Sequence, residues 1–225
     1  MSLLPFVQGG HSVTVVATAT YTAQAVDDSN QSSGAYTFSS QALGVAATGR
    51  QILVGVYGYN SGRVLSTVTV GGVSASNKSA LHENELQLEF WLVTLAAGTS
   101  GDIVVDWDGA MLSCGIGVWA LYGASSTASD TSSIAVTGAG MSLAVAHTSP
   151  ADGFAIGLAG DSSNIVTYSW DSSFVEKFDG AVEPNGNYSG AQLNGAFNDT
   201  VTVTLTAGGG SAASKGLILI SFPAA

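Results

Sequence analysis

The sequence runs through one pattern of strand-like segments and turns twice, at an offset of roughly 100 residues. The hydrophobic run at residues 52–57 is matched by residues 154–159, and the run at 115–121 is matched by 216–222. Three further pairs lie between them in the same order: 67–70 with 165–168, 86–93 with 191–197, and 102–107 with 199–205. Few side chains are identical, but the order of hydrophobic runs and glycines is kept. Such a repeat predicts a pseudo-symmetric architecture built from two similar halves.

The repeated segments have the periodicity of β-strands. Residues 200–206 alternate Thr with Val or Leu, as a strand with one exposed face does. Residues 51–56 and 216–222 are apolar on both faces, which predicts central strands covered on both sides. No stretch keeps a helical period over three turns, so we expect about twelve strands, six in each half.

The connections between these segments are short, and no linker rich in proline divides the halves. Residues 124–131 form the one candidate boundary, and they are long enough to cross from one sheet to another. We predict an all-β fold, a jelly-roll-like antiparallel β-sandwich, in preference to two independent domains. The predicted body spans residues 34–225, with halves at 34–123 and 132–225, and residues 1–33 form an N-terminal arm and stem.

The N-terminal residues lack the cationic start and long apolar run of a signal peptide. Their short apolar segment predicts an attachment arm that docks on another protein, and a frayed terminus is the alternative. The residues of this predicted attachment segment are Leu3, Leu4, Pro5, Phe6 and Val7. Residues 13–21 are β-prone, and they fit either an added strand or a stem between arm and body.

The charge balance excludes several classes of partner. The net charge is −11, with only five lysines and arginines against sixteen acids. Binding to nucleic acid or to an anionic membrane needs clustered cations, so we expect neither. The single cysteine, Cys114, cannot form an intrachain disulfide, and we expect a buried apolar role for it.

No catalytic motif is present in the sequence. The three histidines have no nucleophile-elbow sequence beside them. Glu85 and Glu89 lie on one face of a predicted strand, and the polar side of an exposed strand explains them without a paired-carboxylate site. We therefore predict a protein that is not an enzyme and that carries no cofactor.

Two further kinds of binding site are weaker possibilities. Asp106 and Asp108 resemble the start of a calcium loop, but Gly117 occupies the position where an EF-hand needs glutamate. Trp91, Tyr168 and Trp170 are predicted to project from strand faces, where they would stack on a glycan or fill a subunit interface. Zinc is excluded, since the cysteine and histidines have no ligand spacing.

The succession of strands resembles a known group of proteins. It is carried by the segments at residues 36–43, 52–58, 66–75, 98–105 and 114–123. These are similar to β-sandwich proteins of tailed bacteriophages and of phage-like gene transfer agents of α-proteobacteria. The resemblance extends over most of the chain and includes no catalytic signature.

The resemblance implies a virion structural protein, such as a capsid decoration, head spike or tail fibre component, assembled in the bacterial host cytoplasm. It implies capsid or other virion proteins as partners, and a homo-oligomer or several copies. The alternatives from other classes are a carbohydrate- or receptor-binding module that uses the exposed aromatics and, more weakly, a calcium-dependent β-sandwich hydrolase.

Overall fold

The structure is a computed structural model that describes residues 15–60, 62–138, 142–163, 165–171, 173–182, 186–207 and 214–225. All the regular elements of this described part are β-strands, seventeen in number. The first nine are β1 (Thr18–Asp27), β2 (Ala35–Ala42), β3 (Gln51–Tyr59), β4 (Leu65–Val70), β5 (Val73–Ser74), β6 (Ser76–Glu83), β7 (Leu86–Thr94), β8 (Ser100–Trp107) and β9 (Ser113–Tyr122). The other eight are β10 (Asp130–Thr137), β11 (Ser142–Ser149), β12 (Phe154–Asp161), β13 (Ile165–Trp170), β14 (Val175–Val182), β15 (Gly186–Asn194), β16 (Phe197–Ala207) and β17 (Ser214–Phe222).

Each half forms a two-sheet sandwich with jelly-roll connectivity. In the first half, a five-stranded sheet in the order β1-β9-β3-β7-β6 faces a sheet in the order β2-β8-β4-β5. In the second half, the order β10-β17-β12-β15-β14 faces β11-β16-β13. All pairings are antiparallel, and each strand of the second half takes the place of one in the first, with only the short β5 unmatched. The prediction of an all-β, jelly-roll-like fold built from two similar halves is confirmed, but each half forms its own sandwich, so the preference for a single sandwich was wrong.

The halves share hydrogen-bond registers as well as strand order. A β-bulge falls at Lys78 in β6 and at Lys177 in β14. A second shared bulge follows Leu65 in β4 and Ile165 in β13. Bulges are specific features of a strand rather than defects, so their recurrence at matching places identifies equivalent residues in the two halves.

Most of the sequence-based matches name the right strands in the wrong register. Residues 86–93 were paired with 191–197, but the equivalent strand β15 ends at Asn194, before β16 begins. Residues 67–70 were paired with 165–168, whereas the shared bulge equates them with 167–170. β15 is composed mainly of small and polar residues, so the hydrophobic pattern was matched in part to the residues that follow.

The strand count also exceeds the prediction of about twelve. The edge strands β6, β10 and β14 were not identified because their hydrophobic alternation is weak. An edge strand has a neighbouring strand along one side only, and its side chains are less enclosed than those of a central strand. It can therefore carry short polar side chains.

Three apolar cores lie between four layers of sheet. The first separates the two sheets of the first half and includes Val54 and Trp91. The third lies in the same place in the second half and includes Trp170. The middle core joins the two five-stranded sheets and includes Phe90 and Trp119. Because β3 and β17 are buried along both faces, the expectation of central strands covered on both sides is confirmed.

The two sandwiches pack in a pseudo-twofold arrangement. β1 of the first half contacts β14 of the second, and β10 of the second half contacts β6 of the first. Reciprocal contacts of this kind are those of an isologous dimer, here within one chain. Buried hydroxyls add hydrogen bonds across the joint: Tyr57 donates to the carbonyl of Asp161 at 2.9 Å, and Tyr188 donates to that of Ala25 at 2.9 Å.

The region before residue 34 contributes to this body. β1 pairs along its length with β9 and forms one edge of the first five-stranded sheet. Of the two interpretations of residues 13–21, the added strand is therefore the one observed from Thr18 onward. The described chain contains no helical segment with the length and hydrophobicity that a bilayer crossing requires.

Candidate functional site

The three aromatic candidates are buried rather than exposed. Trp91 is 8%, Tyr168 5% and Trp170 9% accessible to solvent, and each lies in a sandwich core. The exposure on which the glycan and interface interpretations depended is therefore absent. Their strands read as half-polar in the sequence because buried polar residues alternate with the aromatics.

Trp91 contacts a buried polar cluster in the first half. Its indole Nε1 donates to Glu89 Oε2 at 2.8 Å, and Asn77 Nδ2 donates to the same oxygen at 2.6 Å. His82 Nε2 lies 2.8 Å from Glu89 Oε1. The Glu89 side chain is only 3% exposed, so the interpretation of Glu89 as part of an exposed polar face was wrong. Three donors around one buried carboxylate satisfy it and leave it no open side for a substrate.

The two aromatics of the second half are fixed in the same way. Trp170 Nε1 donates to Ser189 Oγ at 2.9 Å, and the single proton of the Tyr168 hydroxyl is shared between two acceptors, Asp161 Oδ2 at 2.5 Å and the carbonyl of Asn187 at 2.7 Å. Burial raises the pKa of Tyr168 well above its usual value, and the Asp161 carboxylate raises it further. The hydroxyl is therefore a permanent hydrogen-bond donor at neutral pH, with a structural role.

The calcium candidates do not converge with other ligands. Asp108 Oδ1 accepts the backbone N–H of Val64 at 3.1 Å, and this bond joins the residue before β4 to the residue after its neighbour β8. Asp106 lies within β8, paired with Thr67 and Ala35. Within the described ranges no group of three or more His, Cys, Asp or Glu side chains is placed to hold a metal ion.

The structure brings together a Ser–His–Asp constellation that sequence reasoning missed. His147 of β11 lies with its Nε2 2.7 Å from Ser221 Oγ of β17, and with its Nδ1 3.3 Å from Asp130 Oδ2 of β10. Ser132 Oγ is also 2.8 Å from Nδ1. Asp130 and His147 come from consecutive strands, but Ser221 is distant in the chain, and only the pairing of β17 with β10 brings it beside them, so no local motif marks the cluster.

The constellation is oriented the wrong way for a hydrolase. A nucleophilic serine must meet its substrate, but Ser221 is fully buried, whereas the Asp130 side chain is 30% exposed. Burial lowers the pKa of His147, and the Asp130 carboxylate opposes part of that shift. Burial acts to raise the pKa of Asp130, but hydrogen bonds from Thr148 outweigh it and lower the pKa. The neutral imidazole of His147 thus joins β11, the edge of one sheet, to β10 and β17 of the other sheet.

The predicted attachment residues Leu3, Leu4, Pro5, Phe6 and Val7 lie outside the described residues. The described chain enters the body at one end of the sandwiches, where Ala17 donates its N–H to the carbonyl of Asp152 at 2.8 Å. Val15 packs over Gly123, and the carbonyl of Gly123 accepts the N–H of Ala225 at 2.8 Å. We call this end, formed by Val15, Ala17, Gly123, Asp152 and Ala225, the entry pole.

No family model, no curated protein and no solved structure matches the chain.

Proposed function

We propose that this chain is a non-enzymatic structural protein of a bacteriophage-type virion, a capsid decoration, head-spike or fibre component held by its N-terminal arm. The observation that carries the proposal is the use of polar and aromatic side chains in the interior. The carboxylate of Glu89, the imidazole of His147 and the side chains of Tyr168 and Trp170 all form hydrogen bonds that join different strands. A body built in this way is suited to rigid display.

The position of the entry pole supports attachment through one end. Residues before Val15 join the body where Gly123 and Ala225 also lie. An arm that docks on a particle through this pole would leave the opposite end of both sandwiches facing outward. Anchoring through a short apolar segment also leaves the fold of the body independent of attachment.

The composition of the surface supports display in a crowded medium. The net charge is −11, and of the five cations Arg50 is fully buried and Lys215 is 2% exposed. A strongly acidic surface limits non-specific association with nucleic acid and with other acidic surfaces. Several copies on one particle would therefore be spaced by mutual repulsion and held by their arms.

Deletion of residues 2–10 tests the proposal. The variant and the full chain are added to particles that are purified from the encoding bacterium after disruption of the gene, and co-sedimentation is measured. We expect the full chain to bind and the deletion variant to remain in the supernatant with an unchanged far-UV circular dichroism spectrum. A chain with residues 2–10 in scrambled order is the matched control for length and composition.

Equal binding of all three chains would refute attachment through the arm. Absence of the full chain from purified particles, measured by mass spectrometry of the wild-type virion, would refute the virion role itself.

A further inference from the structure

The β-bulge in β6 places one of the few cations of the chain beside a groove. The groove has a volume of about 350 Å³, which is at the lower end of the range of small-ligand sites. It lies where β7 ends and the segment after β9 passes, and its wall includes Val73, Lys78 and four hydroxyl-bearing side chains: Ser74, Ser76, Thr94 and Ser126. None of the described residues that line it is acidic.

Lys78 has no carboxylate partner among the described residues. Both ion pairs found there involve histidine, with Glu89 and with Asp130. The absence of a partner is notable in a chain with sixteen acids. A bulge re-aims the side chain of its extra residue, and bulges are enriched beside functional sites. The bulge therefore places the side chain of Lys78, which has no carboxylate partner among the described residues, in the wall of the groove.

The equivalent bulge in the second half has different surroundings. Lys177 lies between Glu176 and Asp179 on β14, whereas Lys78 is flanked by Asn77 and Ser79 on β6. Burial raises the pKa of Glu176, and Asp179 raises it further, so this strand already carries crowded negative charge. The two lysines thus share a backbone position, and only Lys78 has neutral flanking residues.

We propose that the groove beside Lys78 binds a small ligand that has one carboxylate and several hydroxyl groups, the chemistry of an acidic monosaccharide. The ammonium of Lys78 pairs with the carboxylate, and the serine and threonine hydroxyls, which both donate and accept, bond the hydroxyls of the ligand. Val73 supplies an apolar contact at the rim, where its side chain is exposed. A single cation in a protein of this net charge favours a monoanion over a phosphate dianion. The inference is independent of the proposed virion role, since it concerns the body and not the arm.

Titration with D-glucuronate, followed by ¹H–¹⁵N NMR of the full chain, tests the proposal. We expect weak binding, with Kd of about 1 mM, and shift changes centred on residues 73–78 and on Thr94. Lys78→Gln should weaken binding about tenfold, because it removes a hydrogen bond to a charged group. Lys177→Gln is the matched control, since it removes the cation from the equivalent bulge, and it should leave binding unchanged.

Glucose and acetate separate the two parts of the recognition. Each should bind at least about tenfold more weakly than glucuronate, since each lacks one half of the contacts. The proposal is overturned if glucuronate causes no shifts, if Lys78→Gln binds as well as the native chain, or if Lys177→Gln loses binding equally. Equal affinity for acetate would overturn the assignment to a sugar acid.

Discussion

In the first half β7 supplies a tryptophan to the sandwich core, Trp91, whereas in the second half β13 supplies one, Trp170. The shared bulges equate Trp91 with Ala191 and Trp170 with Val70. A large residue in one half therefore stands where the other half has a small one, at both positions.

The exchange shows what a β-sandwich requires of its core. The backbone registers around these two positions are the same, so each core must be filled to similar density, but the strand that supplies the volume is free to change. The polar partners follow the same rule. Glu89 and Ser189 are equivalent, and each accepts the indole N–H of the tryptophan in its own half.

A substitution in the middle core, where the two halves pack together, should cause the largest loss of stability. Trp119→Ala removes a fully buried ring that contacts Tyr21, Phe90 and Phe178, and we expect a loss of about 4 kcal/mol in the free energy of unfolding. Ile220→Val, at the equivalent place in β17, should cost about 1 kcal/mol. Urea unfolding, followed by tryptophan fluorescence and circular dichroism, measures both.

Because the middle core belongs to both halves, the Trp119→Ala chain should unfold in a single shifted transition. Two separated transitions, of which only one is shifted, would show that the sandwiches unfold independently.

The volume exchange can be tested by converting one half to the pattern of the other. Trp91→Ala should cost about 3 kcal/mol, since it opens a cavity and leaves Glu89 without one of its donors. Adding Val70→Trp should recover about 1 kcal/mol if the two positions fill the same space. The mirror pair, Trp170→Ala with Ala191→Trp, is the control. A double variant less stable than the sum of its single changes would contradict the exchange.

Removal of the hydrogen-bond acceptor of each tryptophan should lower the free energy of unfolding by different amounts. Glu89→Ala leaves the N–H groups of Trp91, Asn77 and His82 without their acceptor, for a loss of about 2 kcal/mol. Ser189→Ala removes the hydroxyl bonded to Trp170, for about 1 kcal/mol. Thermal unfolding of both variants, with Glu89→Gln as the shape-conserving control, measures the difference. Equal losses would show that Glu89 is not the organising acceptor of its cluster.

The smallest effect should be a pH dependence that belongs to the second half. The pKa of His147 is lower in the folded chain than its unfolded value of about 6.5, so the unfolded state binds more protons as the pH falls below that value. Stability is therefore full above about pH 6.5 and declines as the pH falls toward the lower folded pKa. The free energy of unfolding at pH 7.5 and pH 5 should differ less in His147→Gln than in the native chain. An unchanged difference would exclude His147 as its source. This range avoids Asp130, whose lowered pKa affects stability only at more acidic pH.

The sequence predicted the central strands more reliably than the edges. Residues 51–56 and 216–222 were identified correctly because a strand covered on both sides must be apolar throughout. β14 was missed and β15 was misaligned, because both strands carry glycine and polar residues where the central strands carry large apolar ones. The prediction that Trp91 is exposed was wrong. It rested on Glu89, two residues earlier on the same face of the strand, which is buried and not solvent-exposed.

The amino-acid sequence by itself determined the fold class, the two similar halves and the central strands, because alternation and turn residues act over a few neighbours. Only the tertiary structure decided that the halves pack sheet against sheet, that Ser221, His147 and Asp130 meet, and that equivalent bulges place Lys78 and Lys177. These features depend on which strands pair and which sheet faces pack together, and no local pattern records these contacts.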